Sequence, residues 1–384
     1  MTVFLLASGL LFLLLAAHPF LTYPLSLRLL RRLRPQPLQV LPNAPRPSFS
    51  ICVCAHNEAR VIQEKVANLL ALRERAPGGL EILVYDDASV DGTGAILQGH
   101  GDRLTVIASP TRTGKTPGMN RLAALAQGDI LVFSDANVMV EPDAITRLER
   151  YFADPAVGCV CGHLLYLNRE QSVTAATGAD YWQLEEEIKQ LESDTGSVMG
   201  ADGSLFAIRR SLHRPVPEDL IDDIFVSFGV LFQGYRVVRA PDVRAFENSA
   251  TQAADEFRRK VRISCQAFNI HRRLWPQLRR LGWLDLYKYL SHKFLRWLTI
   301  YSLALAGLFL FAGLVSLAGW PVALGLAALG AAALGLGYVL KLAPVRRLVD
   351  VLGAFVATGL GVIYSIRGRE FRTWTPAASV RGTP

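Results

Sequence analysis

Five short stretches carry side chains that could act on a phosphorylated ligand. In "LVFSDANVMVEP", residues 131–142, an apolar run ends in Asp135 and Asn137, two residues apart. Positions i and i+2 of an extended chain lie on one side, so this carboxylate and carboxamide can face one ligand. Two oxygen-bearing side chains after a strand suit a hard divalent cation, Mg2+ or Mn2+, and the phosphates it carries. A solvated Asx-type turn is the plainer alternative. Asp86 and Asp87 end a second apolar run and can accept hydrogen bonds from sugar hydroxyls or a base N–H. Lys115 follows Gly114 and can reach a phosphate. Arg259 and Arg262 lie in "RRKVR"; the planar guanidinium suits phosphate, and a helix seated on anionic lipid is the alternative. Asp222 and Asp223 open a helical stretch, where an N-cap with an acidic first turn is the plain reading.

These residues need elements to hold them. "SFSICVCAHNEA" (48–59), "LEILVYDDASVDGT" (80–93), "RLTVIAS" (103–109) and "DILVFSDAN" (129–137) each read as a strand. Helical periodicity covers 59–75 and 114–127. Strands alternating with helices imply an α/β fold with a mainly parallel sheet. Ligands of such sheets bind at the carboxyl ends of the strands, where the polar clusters fall. No G-x-G-x-x-G or Walker A sequence occurs, which argues against a dehydrogenase or a P-loop ATPase. Cys52/Cys54 and Cys159/Cys161 do not have zinc spacing. They read as small buried hydrophobes in a reducing compartment.

The 384 residues are 51% hydrophobic, more than an ordinary soluble enzyme needs. The excess lies in residues 3–23 and in about 297–318, 320–340 and 348–366, each near the twenty residues that cross a bilayer. Positive charge follows the first run, which reads as a retained anchor. Arg28, Arg31, Arg32 and Arg34 follow that run, and Lys341, Arg346 and Arg347 follow the third. By the positive-inside rule both clusters, and the polar middle, face the cytoplasm. The net charge of +8 is placed for a membrane. No basic stripe interleaves with aromatics, so no nucleic-acid partner is expected. One conflict stands: a fourth full span puts Arg367, Arg369 and Arg372 outside. The last apolar run, interrupted by Asp350 and glycines, reads equally as a span, a re-entrant segment or an interfacial one. Residues 283–297 mix aromatics with cations and read as an interfacial helix, with His292 and Lys293 at lipid or diphosphate. The acidic residues of "DYWQLEEEIKQLES" (180–193) read as a solvated face.

"HNEA", "DDASVDGT", "GKTPGMN" and "SDAN" together resemble, in order and separation, the family 2 glycosyltransferases with the GT-A fold. That resemblance implies a nucleotide-sugar site at Ala55, Asn57, Glu58, Asp86, Asp87, Lys115 and Asp135. It implies a metal motif at Asp135 and Asn137, with an amide where the second carboxylate is usual. On the resemblance alone, Asn137→Asp should be tolerated. "GADGSLFAIRR" (200–210) is similar to the family's acceptor side, which implies roles there for Gly200, Asp202 and Gly203, joined by Asp222. The register of "DDIFVSFGVLFQGYRVV" (222–238) puts Asp223 at the family's general base. "EFRRKVRISCQAF" (256–268) resembles the Q-x-x-R-W region of membrane polysaccharide synthases, with Arg259 and Arg262 at the polar positions and Ile263 at the Trp.

The implied organisation is a transmembrane helix at 1–25 and a basic linker at 26–47. A cytoplasmic GT-A (Rossmann-like) domain follows at 48–275, then an interfacial amphipathic segment at 276–296. Transmembrane helices at 297–366 and a tail at 367–384 complete the chain. The implied activity is inverting transfer of a hexosyl or N-acetylhexosaminyl group from a nucleotide-diphosphate sugar. The acceptor would be lipid-linked or a polysaccharide, at the cell membrane, in cell-envelope or exopolysaccharide synthesis. A processive synthase and a non-catalytic assembly partner are the alternatives.

Overall fold

The computed structural model describes residues 1–171, 173–248, 252–371 and 373. Two N-terminal helices, α1 (Thr2–Ala17) and α2 (Thr22–Leu33), precede the α/β domain. Its strands are β1 (Phe49–Ala55), β2 (Leu80–Asp86), β3 (Thr105–Ala108), β4 (Ile130–Asp135), β5 (Met139–Val140), β6 (Val157–Tyr166), β7 (Leu205–Arg209) and β8 (Arg236–Glu247). Its helices are α3 (Ile62–Arg75), α4 (Thr93–Gln98), α5 (Lys115–Leu125), α6 (Ala144–Phe152), α7 (Val173–Asp194) and α8 (Asp222–Phe232). Then come α9 (Ala253–Leu278), α10 (Trp283–Tyr289), a wide π-helical turn at Leu290–Phe294 and α11 (Leu295–Trp297). The chain continues as α12 (Thr299–Ala318), α13 (Trp320–Val339) and α14 (Ala343–Ile366).

The strands form one sheet in the order β3-β2-β1-β4-β7-β6-β8-β5. The first four run parallel, as the alternating pattern predicts. All seven residues of β1 are buried, because helices cover both faces of a parallel sheet. The second half is mixed: β7 is antiparallel to β4 and β6, and β5 is antiparallel to β8. Strand β7 starts at the end where β6 stops and can only run the other way. Ile62, Val66, Leu69 and Leu72 of α3 seal one face of the sheet. Met119, Leu122 and Ala123 of α5 seal the other. All five cysteines are free and buried.

The acidic face of α7 departs from expectation. Glu185, Glu186 and Glu192 are buried. Glu186 pairs with Arg239 at 2.7 Å and Lys189 at 3.1 Å. His292 lies between Glu192 (Nδ1, 2.8 Å) and Glu185 (Nε2, 3.0 Å), and Tyr23 donates to Glu192 at 2.6 Å. So His292 is fully buried and faces neither lipid nor diphosphate, while Lys293 pairs with Glu185 at 3.3 Å. Helical periodicity shows which residues share a face. It does not show whether that face meets water or the cations of distant elements.

Helices α12, α13 and α14 are long and apolar enough to cross a membrane, and the bent pair α1–α2, broken by 60°, counts as a fourth if taken as one span. Helix α1 runs antiparallel to α12. Gly9 and Gly313 allow close approach, since a Cβ at either would come within 2.6 Å of Leu310 or Leu6. The C-terminal half of α14 packs on α9. A Cβ at Gly361 would lie 2.6 Å from Ser264 Cβ and 2.7 Å from the Val261 carbonyl. Ser365 donates to Asn269 at 2.6 Å, and Gln266 donates to the Phe371 carbonyl at 2.7 Å. A Cβ at Gly353 meets nothing within 4 Å. Gly361→Leu should therefore destabilise the protein by about 1–3 kcal/mol through overpacking. Gly353→Leu should not, and thermal unfolding of both variants in one detergent checks the pair.

Candidate active site

The ends of β1, β2 and β4 and the starts of α5 and α8 converge on one ammonium group. Lys115 opens α5 after Gly114, whose φ of 99° turns the chain into the helix. Its Nζ lies 2.8 Å from Asp135 Oδ1 and 3.5 Å from Asp222 Oδ2. A Cβ placed on Gly203 would sit 3.0 Å from that Nζ, 3.2 Å from Asp223 Oδ2 and 3.9 Å from Asp135 Oδ2. Gly203 thus packs closely against three charged side chains, which any larger residue would crowd. Burial acts to lower the Lys115 pKa, but Asp135, Asp222 and Asp223 outweigh it and hold it well above the ordinary lysine value.

Asp223 is buried, and burial and then neighbouring Asp222 push its pKa up to about 7. It is not the N-cap: Ile221 holds that position, with no side-chain cap bond. Asp223 Oδ1 accepts from the Ile224 N–H at 2.6 Å. Asp222 Oδ2 has no hydrogen-bond partner and faces Lys115. A carboxyl group that titrates near neutrality can take a proton from an incoming hydroxyl.

The other expected residues divide between lining and support. Asp87 is fully buried. It accepts from the Thr113 N–H at 2.6 Å, the Thr113 hydroxyl at 3.0 Å and the Gly114 N–H at 2.9 Å. Its carboxylate therefore holds the loop that aims Lys115. Asp86 accepts from the Ser89 N–H at 3.1 Å. Ala55 ends β1 opposite Asp86. Asn57, at φ 54°, accepts from the Val90 N–H at 2.9 Å and so ties the first polar loop to the second. Glu58 is buried, with its N–H on the Thr93 hydroxyl at 2.8 Å. Gly200, at φ 98°, lies near Ile224, Phe228 and Lys293. Asp202 pairs with Lys189, at 2.7 Å.

From α9, Arg262 faces Asp135 and Asp223. Burial and then Arg259 pull its pKa down to about 10. Arg259 is committed to the β6–β8 edge. Burial acts to lower its pKa, but Tyr166, Glu247 and Glu256 raise it.

Two residues went unread in the sequence. Lys65 is fully buried beneath the Asp135 loop and donates to Ser134 Oγ at 2.9 Å and the Val138 carbonyl at 2.6 Å. Burial lowers its pKa to about 7. Its signal was a lysine on the Ile62–Val66–Leu69 face of a helix. Glu247 ends β8 as Asp86 and Asp135 end β2 and β4, and it accepts from Asn137 Nδ2 at 3.0 Å.

The Glycosyl transferase family 2 profile matches residues 50–216, which hold Asp86, Asp87, Lys115 and Asp135 but neither the Asp222–Asp223 pair nor Glu247. Residues 50–216 thus resemble the family 2 glycosyltransferases. An N-acetylglucosaminyltransferase of Mesorhizobium japonicum is 27% identical over 220 residues, 52% of this chain and 51% of that protein. A beta-monoglucosyldiacylglycerol synthase of Synechocystis sp. is 33% identical over 153 residues, 36% of this chain and 32% of that protein. The chain spans about half the length of the first of these relatives. The solved mannosyltransferase of Pyrobaculum calidifontis, in complex with GDP-Man and Mn2+, superposes with a TM-score of 0.71 at 23% identity. That likeness covers 94% of this chain and 99% of the other, and shows that the chain has the GT-A fold.

If Asp223 is the base, transfer by the free enzyme falls as pH drops through about 7. Asp223→Asn should lose about 10² to 10⁴ in rate while keeping nucleotide affinity. Asp222→Asn removes the neighbouring charge and should move the acid limb to lower pH. Linkage gives an independent sign. The native pKa of Asp223 lies above its unfolded value, so its stabilising contribution is full at pH 4 and is lost as pH rises through about 7. Asp223→Asn should therefore raise Tm at pH 8 and leave it unchanged at pH 4. Unchanged transfer in Asp223→Asn at every pH sinks the assignment.

Proposed function

We propose that the chain is a membrane-bound inverting glycosyltransferase. Its donor is a nucleotide-diphosphate hexose or N-acetylhexosamine, and its acceptor is lipid-linked or a short polysaccharide of envelope or exopolysaccharide synthesis. The convergence of Lys115, Asp135 and Asp223 around Gly203 carries this reading. Lys115 and Arg262 offer cations to the departing diphosphate, and Asp223 accepts the proton of the attacking hydroxyl. One displacement at the anomeric carbon inverts it.

Asp135, with its side chain 38% exposed, and Asn137 fit a divalent cation. Both offer hard oxygen atoms at a strand end, the donor type that Mg2+ and Mn2+ take. Bound Mg2+ or Mn2+ would neutralise charge on the diphosphate leaving group. The solved mannosyltransferase complex, with GDP-Man and Mn2+, agrees with this chemistry. The N-acetylglucosaminyltransferase and glucosyldiacylglycerol synthase relatives favour amino-sugar or hexose donors. The second of them favours a lipid acceptor.

Packing supports a particular topology in the cell membrane. Thr2 meets Ser316 at 2.6 Å, so α1 and α12 form an antiparallel hairpin whose domain-proximal ends are His18 and Thr299. Helix α13 then returns toward the domain. Helix α14 lies along the cytoplasmic interface: its Gly359 carbonyl accepts from Tyr301 in the first turn of α12, and its Ser365 and Gly361 meet α9. Three crossings then put Arg346, Arg347, Arg367 and Arg369 beside the domain, in keeping with the positive-inside rule.

The activity is tested by offering purified protein a panel of radiolabelled nucleotide sugars with native lipid extract and Mn2+ or Mg2+. The expected product is a glycolipid or short glycan that Asp135→Ala does not form. Labelled polymer of high mass would favour the processive reading, and no turnover of any donor would favour the assembly partner. The topology is tested by impermeant thiol labelling of intact cells, since the native cysteines are all buried. Trp320→Cys should label, and Asp102→Cys and Arg346→Cys should not. Labelling at Arg346→Cys would make α14 the crossing helix in place of α13.

A further inference from the structure

Asn137 stands where a second metal-binding carboxylate was expected. Its Nδ2 donates to Glu247 Oε1 at 3.0 Å. An ionised carboxylate only accepts, so the nitrogen end of the amide is committed to Glu247 and Oδ1 is the end left for a cation. Glu247 is 8% exposed and lies opposite Tyr166 at the end of β8. It also sits in the field of Arg259. The same strand end carries β5, which pairs Met139 with Phe246 and so brings residue 137 beside residue 247.

We infer that Glu247 is the positioning residue of the cation site. It turns the Asn137 amide so that its oxygen faces the ion. It also carries, one side chain further back, the negative charge that an aspartate at 137 would hold. The inference rests on the metal-dependent reading above. It reverses the expectation that Asn137→Asp is tolerated, because that exchange alone sets two carboxylates at hydrogen-bonding distance. Exchanging both residues, Asn137→Asp with Glu247→Gln, restores the bond with its polarity reversed. The glutamine Nε2 then donates to the new carboxylate, whose second oxygen stays with the ion.

The test is an Mn2+ titration of the full chain in detergent, followed by electron paramagnetic resonance, with Mn2+ alone and then with inorganic pyrophosphate. Loss of a group that orients a metal ligand costs about 10- to 100-fold in affinity. Glu247→Ala and Asn137→Asp should each weaken Mn2+ binding by about that factor, and the double exchange should return to within about threefold of the native value. Asn137→Asp alone binding as tightly as the native chain overturns the inference, and so does a double exchange whose loss equals the product of the single losses. Thermal unfolding without metal supplies a second check. A double exchange that restores Tm but not Mn2+ affinity makes the pair structural and also overturns it. Failure of the native chain to bind Mn2+ is a different result, which removes the metal reading itself.

Discussion

Three carboxylates around one ammonium are the constraint on which the site depends. Asp135, Asp222 and Asp223 arrive from two elements far apart in the chain, and Lys115 is the cation that faces all three. Buried like charges cannot stay ionised together without such a partner. Much of the N-terminal half serves its position. Asp87 fixes the loop before it, Gly114 turns the helix, and Lys65 supports the Asp135 loop from below. The balance also limits what can bind. A diphosphate adds negative charge to a place that already holds three carboxylates, so it needs cations to enter with it or to meet it. Arg262 already waits on the far side.

The sequence is most legible where local chemistry repeats. An apolar run that stops at an acidic residue occurs at Asp86 and again at Asp135, and both strand ends line the same edge of the sheet. The parallel half of the sheet follows from the alternation of strands and helices. What stayed hidden depends on partners remote in the chain. Glu247 shows the same strand-end signal, but its meaning needs Asn137, 110 residues away. The mixed order of the second half depends on the path of α7, which periodicity does not describe. The acidic face of α7 looked solvated because its partners, Arg239, Lys288 and His292, come from other elements.

That buried network also joins the α/β domain to the helices that flank it. Tyr23 comes from α2, Glu185 and Glu192 from α7, and His292 from the π-helical turn, and all meet in one cluster. Ion pairs in low dielectric add little net stability, but separating one partner from the other is costly. Such a cluster therefore specifies how the parts dock more than how strongly they are held. A π-helical turn at this point suits the role, since its wider spacing is a common device at functional positions.

One helix has two employers. Along α9, Arg262 looks toward Asp135 and Asp223 and Arg259 toward Tyr166 and Glu247, while Val261, Ser264 and Asn269 are gripped by α14. A detergent that loosens α14 will therefore disturb the guanidinium groups before it touches the sheet. Weak ligand binding in a solubilised preparation then reports on the lipid that was stripped away, and a bilayer mimic is the proper medium for judging this protein.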